Sequence, residues 1–171
     1  APSISGNRLI HHTRFQGLEK IECLDTATGG LLWSDGVPTT YRDRFNYLNG
    51  PRARPAIDGD RVYTLSREGH VFCFASNSGE VLWQAHLAED YRMRSPGWGF
   101  AGSPLIDGDL VIFNTGSAGM ALNKHSGERV WSNGRTGGGY STPVAYMREG
   151  ERRLAVLRND ALSGVETSSG K

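Results

Sequence analysis

The stretch Ser78–Trp83, SGEVLW, decides the fold because close versions of it return along the chain. TGGLLW ends at Trp33, SGERVW ends at Trp131, and SGK closes the sequence at Lys171. The tryptophans that end these segments are 50 and 48 residues apart, a period that is typical of propellers and other repeat arrays. The chain is therefore built from repeated units.

A second pattern precedes each of these segments. PSISGNRLI starts at Pro2, PAIDGDRVY at Pro55 and PLIDGDLVI at Pro104, and a looser version starts at Pro143. A Gly beside Asp or Asn, flanked by short apolar and β-branched runs, indicates a tight hairpin. Each unit is therefore predicted to contain four short strands, because no helical period is present.

A four-stranded antiparallel sheet of this size cannot bury both faces alone, so it has to stack on its neighbours. We predict an all-β chain, a β-propeller of about four blades, in which residues 1–171 form one partial propeller. The repeats span approximately residues 1–50, 51–99, 100–139 and 140–171, and the last is truncated. Stacking also explains a repeated flat ring and a repeated small residue. The predicted blade-docking residues are Trp33, Trp83, Trp131, Gly29, Gly79 and Gly127.

The two cysteines occupy one position of the repeat. Cys23 and Cys73 each lie ten residues before a repeat tryptophan, and the same position holds Ala121 and Gly164 in the other units. A position that accepts Cys, Ala and Gly requires a small side chain. We therefore interpret both cysteines as small buried hydrophobic residues, in preference to a disulfide or metal ligands.

Three segments together resemble the pyrroloquinoline-quinone-like (PQQ-like) propeller repeat: CLDTATGGLLW (23–33), CFASNSGEVLW (73–83) and ALNKHSGERVW (121–131). Members of that family usually close eight blades into a ring, so the resemblance implies about half of one here. The family contains quinoprotein dehydrogenases, which hold the quinone and a calcium ion at the mouth of the ring. It also contains non-catalytic propellers, such as the outer membrane protein assembly factor BamB, which present surfaces to partner proteins.

Little in the sequence indicates catalysis. Calcium prefers several carboxylate oxygens, and the available residues are scattered without a motif: Asp43, Glu89, Asp90 and Asp160. The chain has neither an adjacent cysteine pair nor a haem-attachment motif. We expect no catalytic residue, no metal ligand and no cofactor. The alternative is part of a PQQ- and calcium-dependent alcohol or sugar dehydrogenase.

The adjacent His11 and His12 do not read as a metal site. Neighbouring residues on a strand point to opposite faces, so the two rings cannot readily reach one ion. We interpret them as surface or edge histidines.

Two long connections between units carry similar side chains. One follows Trp33, the other follows Trp83, and propeller geometry places both at one end of the blades. Arginine and aromatic residues in such loops are typical of a surface that binds a protein or an anionic ligand. The candidates are Tyr41, Arg42, Arg44, Tyr47, Tyr91, Arg92, Arg94 and Trp98.

A structural role for these residues is the alternative. The arginines would then pair with Asp43, Glu89 and Asp90, and the aromatic rings would fold the loops down. We expect Trp98 and Phe100 to be buried under their loop.

Charge and composition limit the partners. The net charge of +1 gives no field strong enough to imply nucleic acid, and no segment is long and apolar enough to span a membrane. The expected partner is another protein or the missing half of the propeller, and the chain by itself would self-associate. A periplasmic or otherwise extracytoplasmic location is implied by the family resemblance alone.

Overall fold

The computed structural model describes residues 1–42 and 50–171, and in these ranges the chain forms strands and turns without a helix. The first two sheets contain β1 (Ser3–Ser5), β2 (Arg8–Phe15), β3 (Leu18–Asp25) and β4 (Leu31–Pro38), then β5 (Ala56–Asp58), β6 (Arg61–Leu65), β7 (His70–Ala75) and β8 (Val81–His86). The next two contain β9 (Leu105–Asp107), β10 (Leu110–Phe113), β11 (Met120–Asn123) and β12 (Arg129–Ser132), then β13 (Val144–Arg148), β14 (Glu151–Leu157) and β15 (Leu162–Glu166).

Each sheet is an antiparallel meander in chain order. The first three sheets have four strands and the last has three. The predicted all-β propeller of four-stranded blades is thus confirmed, and we call each sheet a blade. The first strands β1, β5 and β9 lie beside one another. Ser3 Oγ donates a hydrogen bond to the Pro55 carbonyl at 2.6 Å, and the Arg54 N–H donates to Ser103 Oγ at 2.8 Å.

The hairpin between the first two strands of a blade follows the predicted sequence signal. Asp58 pairs with Arg61, so Gly59 and Asp60 are the two central residues of the turn. Gly59 has a φ of +57°, which an L side chain rarely adopts. Gly at the first central position is typical of a type II′ hairpin. The signal was read correctly, although the turn is centred one residue after Asp58.

The hydrophobic core lies between the blades. One cluster joins the first and second blades, with Ile10 and Ile21 from one and Val62 and Phe74 from the other. Two further clusters join the second blade to the third and the third to the fourth. Each seam between adjacent blades therefore has a core of its own, as expected for an array in which a unit contacts only its neighbours.

The repeat tryptophan lies at these seams. A Cβ atom built on Gly79 would be 2.6 Å from Cδ2 of Trp33, and one on Gly127 would be 2.7 Å from Cε3 of Trp83. The ring of each tryptophan thus covers the turn glycine of the next blade so closely that no other residue fits. At Gly29, in the first blade, nothing lies within 4 Å of the same position.

A hydrogen bond accompanies each of these ring contacts. Trp33 Nε1 donates to the carbonyl of Ser76, Trp83 Nε1 to that of Lys124, and Trp131 Nε1 to that of Thr167, each at 2.9 Å. A buried indole requires such a partner for its N–H. The Gly-x-x-x-Trp spacing therefore serves two contacts, because the Gly receives the ring of the preceding blade and the Trp reaches the turn of the following one.

A bulge that the sequence did not reveal recurs opposite each tryptophan. Cys23 pairs with Trp33 but Leu24 pairs with Leu31, so Leu32 is left without a partner in the ladder. The register shifts at the same place in the second and third blades. A bulge bends its strand locally and increases the twist.

Both cysteines are fully buried and unbonded to each other. Each pairs with its repeat tryptophan across the sheet, and its burial as a free thiol confirms the interpretation of both as buried hydrophobic residues.

Candidate functional site

The ends of the strands define a surface that we call the loop face. In an antiparallel meander, the fourth strand ends where the next blade begins, on the same side as the turn between the second and third strands. The described parts of the connections, residues 39–42, 50–55, 87–104 and 133–143, therefore lie at this end, together with turns such as Ser66–Gly69. Arg44 and Tyr47, which are binding candidates, and Asp43 lie outside the described residues.

A buried arginine joins the two long connections. Arg67 is fully buried in the turn between β6 and β7. Its Nη2 donates to Tyr41 Oη at 2.8 Å and to the Trp98 carbonyl at 2.9 Å. The guanidinium carbon also lies 4.0 Å from the centre of the Tyr41 ring. Tyr41 is thus half-buried by Arg67 and acts as a support for the loops, while its neighbour Arg42 is exposed.

Arg67 was missed in the sequence because one arginine in a turn has no spacing signal. Its burial depends on two loops that are distant along the chain.

An exposed aromatic pair lies on top of this support. Trp98 and Tyr140 are each 38% exposed, and their ring centres are 6.0 Å apart. The backbone N–H of Trp98 donates to Tyr140 Oη at 3.3 Å. The Arg52 guanidinium lies 5.3 Å from the Trp98 ring centre. We call Arg52, Trp98 and Tyr140 the aromatic cluster. The expectation that Trp98 is buried was wrong, because the Gly97–Gly99 turn points its ring outward, whereas Phe100 is buried as expected.

The segment Tyr91–Arg94 alternates between anchoring and exposed residues. Tyr91 Oη donates to the Gly127 carbonyl at 2.9 Å, and burial raises the pKa of the Tyr91 hydroxyl. Met93 is 3% exposed and belongs to the core of the second seam. Arg92, which lies between Tyr91 and Met93, and Arg94, which follows Met93, are both exposed. Tyr91 and Met93 therefore fix the segment, and the two arginines face solvent.

Arg92 is held in a strained backbone conformation. Its φ is +57°, in the left-handed region that disfavours an L side chain. Such strain persists only where the surrounding structure imposes it, and it is found most often at binding and catalytic sites.

The described arginine candidates of the loop face do not form the pairs with Glu89 or Asp90 that the alternative interpretation expected. Within residues 1–42 and 50–171, Arg42, Arg92 and Arg94 make no ion pair. Asp90 instead accepts the N–H of His86 at 2.7 Å, which closes its own loop. The described part of the loop face therefore presents these arginines to solvent.

The glycine-rich segment at 137–139 permits close crossing between the third and fourth blades. A Cβ on Gly139 would lie 2.2 Å from the Leu157 carbonyl oxygen. Asn114 Nδ2 donates to the same carbonyl at 2.8 Å, and Asn114 Oδ1 accepts the N–H of Gly139 at 3.0 Å.

His12 lies in a buried polar pair, so its interpretation as a surface histidine was wrong. His12 Nε2 is 3.8 Å from Glu19 Oε2, and the exposed fractions of the two residues are 9% and 2%. Burial lowers the pKa of His12 to about 4 and raises the pKa of Glu19 to about 7. Strand alternation could have revealed this, because His12 is two residues from the buried Ile10 and shares its face.

In residues 1–42 and 50–171, no group of three or more His, Cys, Asp or Glu side chains is placed to hold a metal ion. No helix in these ranges is long and apolar enough to cross a membrane.

Known proteins of two kinds are similar to this chain. It is 28% identical to the outer membrane protein assembly factor BamB of Yersinia pestis in an alignment of 116 residues that covers 66% of this chain and 28% of that protein. It is 25% identical to the quinoprotein ethanol dehydrogenase of Pseudomonas putida in an alignment of 151 residues that covers 75% of this chain and 23% of that enzyme.

A solved structure shares the fold. The crystal structure of BamB from Moraxella catarrhalis matches with a TM-score of 0.69 at 20% identity, over 97% of this chain and 48% of that one. The chain thus spans less than a third of these curated relatives and about half of the solved one. Residues 18–171 match the family described as outer membrane protein assembly factor BamB, and the chain belongs to this family of PQQ-like propellers.

Proposed function

We propose that the chain is part of a non-catalytic propeller that binds another protein through its loop face and works as a binding or scaffold module. The observation that carries this proposal is the exposed aromatic cluster. Large, half-exposed aromatic rings beside arginine are the residues that most often dominate the energy of protein interfaces. The cluster is held by the buried Arg67, so little order is lost when a partner binds.

The packing of the loop face supports this proposal. Tyr41, Tyr91 and Met93 anchor the connections, so that the exposed residues stand on a fixed base. Rigid scaffolds that display loop residues are typical of binding proteins. By family resemblance, we propose a periplasmic or otherwise extracytoplasmic location.

Site-specific photo-crosslinking tests this proposal. A photoreactive residue replaces Trp98 in one variant, and in a matched control it replaces Asn77, which is exposed in a turn at the opposite end of the second blade. In a periplasmic extract, we expect a discrete protein adduct from position 98 and none from position 77. The same adducts from both positions, or none from position 98, would contradict the proposal.

The second candidate function is part of a PQQ- and calcium-dependent alcohol or sugar dehydrogenase. The similarity to a quinoprotein ethanol dehydrogenase over 75% of the chain favours it. This candidate requires quinone binding that depends on calcium, which the first candidate does not.

A second set of contacts is proposed at the outer blades. Apolar side chains of the fourth blade are strongly exposed, with Val144 at 60%, Leu157 at 52% and Leu162 at 69%. We propose that further blades cover them, and that the chain alone self-associates. Light scattering measures this directly, and a clean monomer would contradict it.

A further inference from the structure

We propose that the loop face binds an acidic segment of its partner protein, one in which carboxylates flank an apolar or aromatic side chain. This inference rests on the proposed function and gives the chemistry of the partner. Three observations support it. They are the ion pairs at the two ends of the blades, the partners of the carboxylates on the loop face, and the position of the aromatic cluster.

The two ends of the blades differ in how their cations are paired. At the opposite end, several basic side chains lie beside carboxylates, although Arg8 and Arg129 make no ion pair with the described residues. Lys124 Nζ lies 2.7 Å from Asp58, and Arg152 makes a bidentate contact with Asp107 at 2.8 to 3.1 Å. On the loop face, exposed arginines make no ion pair with any residue in 1–42 or 50–171; these are Arg42, Arg54, Arg92, Arg94 and Arg135.

Most carboxylates of the described loop face already have partners within it. Glu68 accepts a hydrogen bond from Thr39 Oγ1, Asp90 accepts the N–H of His86, and Asp160 pairs with Arg158 at 3.4 Å. Glu89 is the exposed exception. Hydrogen bonds from neutral donors do not cancel a charge, but the five exposed arginines outnumber Glu68, Glu89 and Asp90, the carboxylates without a cationic partner among the described residues. The charge of the described loop face is therefore positive, although the whole chain carries only +1.

The connections that carry the aromatic cluster also carry exposed arginines, with Arg94 in the connection of Trp98 and Arg135 in that of Tyr140. Arg52 lies over Trp98, and the Arg94 N–H donates to the carbonyl of Arg135 at 2.8 Å, which links the connections 87–104 and 133–143. A guanidinium presents a planar set of donors that fits a carboxylate in a bidentate manner. The fitting ligand places an apolar side chain on Trp98 and Tyr140 and carboxylates on the surrounding arginines.

A protein segment fits this surface better than nucleic acid. Aromatic rings and arginine also bind single strands, but such proteins follow the backbone with a strongly basic groove. Here the net charge is +1 and the opposite end carries paired acidic residues. We therefore argue for the acidic segment, and a single-stranded oligonucleotide serves as one arm of the test.

Fluorescence polarisation with a defined probe tests the inference. The probe is a short labelled peptide in which glutamates flank one phenylalanine, and its matched control replaces each glutamate with glutamine. We expect the glutamine peptide to bind about tenfold more weakly, and added salt to remove most of this difference. Equal binding of the two peptides, no binding of the acidic one, or tighter binding of an oligothymidylate of equal charge would overturn the inference.

Two charge reversals locate the site. Arg94→Glu should weaken binding of the acidic peptide by about tenfold. Arg148→Glu, the same charge reversal at an exposed arginine of the opposite end, should alter it by less than about twofold. Arg94→Lys keeps the charge and shows whether the planar fork matters. Equal losses from Arg94→Glu and Arg148→Glu would contradict the inference.

Failure of this inference is distinguishable from failure of the proposed function. A protein adduct from position 98 without acidic-peptide binding would leave a protein-binding loop face with a partner of other chemistry. Absence of both would remove both proposals.

Discussion

The seams between blades and the loop face use the same kinds of side chain for opposite purposes. At the seams, Trp33 and Trp83 are 8% and 9% exposed, and each ring lies on the glycine of the next blade. On the loop face, Trp98 is 38% exposed and contacts Tyr140 and Arg52. The repeat tryptophans thus pack between blades, whereas Trp98, outside the repeat, keeps a larger part of its surface exposed.

The largest expected effect is on a seam. Trp83→Ala should lower the free energy of unfolding by about 3–5 kcal/mol, because it leaves a cavity in the seam and the Lys124 carbonyl without its indole partner. Urea unfolding measures this. Trp98→Ala is the control and should cause a clearly smaller loss, and equal losses would mean that the repeat tryptophan is not a seam residue.

Two turn glycines allow the stability cost of a ring contact to be measured apart from the cost of the backbone conformation. Gly29 and Gly127 have nearly the same φ, +70° and +76°, but only Gly127 is covered by a ring. Gly29→Ala should cost about 1–2 kcal/mol for its backbone alone. Gly127→Ala should cost about 1–3 kcal/mol more, because Cβ meets the Trp83 ring. Thermal unfolding of both variants tests this, and equal costs would contradict the ring contact.

The buried pair of the first blade has a pH signature. The pKa of Glu19 is raised to about 7, so its contribution to stability falls as pH rises from about 4.5 to 7. The pKa of His12 is lowered to about 4, so its contribution falls as pH drops from about 6.5 to 4. Between about pH 4.5 and 6.5 the two slopes oppose each other.

Replacing one member of this pair leaves only the pH dependence of stability that the other member causes. Glu19→Gln should make the free energy of unfolding rise more steeply with pH in this window than in the unmodified chain, by up to about 1.4 kcal/mol per pH unit. Chemical denaturation at a series of pH values measures this slope. An unchanged slope would mean that Glu19 ionises in the folded chain as it does in the unfolded one.

The smallest expected effect is on the loop face. Arg92→Ala should change the free energy of unfolding by less than about 0.5 kcal/mol, because the side chain is exposed and makes no ion pair with residues 1–42 or 50–171. Urea unfolding is again the measurement. A loss as large as that of Trp83→Ala would place Arg92 in the fold and not on a binding surface.

Sequence reasoning reached the seams more fully than the loop face, for a physical reason. The seam contacts repeat with the blades, so the repeat spacing predicts the roles of Trp83 and Gly79. It also predicts turns such as Gly59-Asp60. Loop contacts occur once and join distant parts of the chain. The burial of Arg67 between Tyr41 and Trp98 has no local signal, and the exposure of Trp98 follows from a turn that the sequence did not specify.

The bulge opposite each tryptophan was harder to predict than the seam contacts, although it also repeats. It repeats in three blades, yet pairing register is not visible in a strand as short as Arg129–Ser132. His12 is an error of a different kind, because its alternation with Ile10 was present in the sequence and indicated burial.

The most direct test of the account is a calorimetric titration of pyrroloquinoline quinone into the protein with calcium present. We expect no binding heat, because the proposed function lies in an arginine and aromatic surface that binds protein. Tight binding that is lost when calcium is chelated would contradict it, and would make the chain part of a quinone-dependent dehydrogenase.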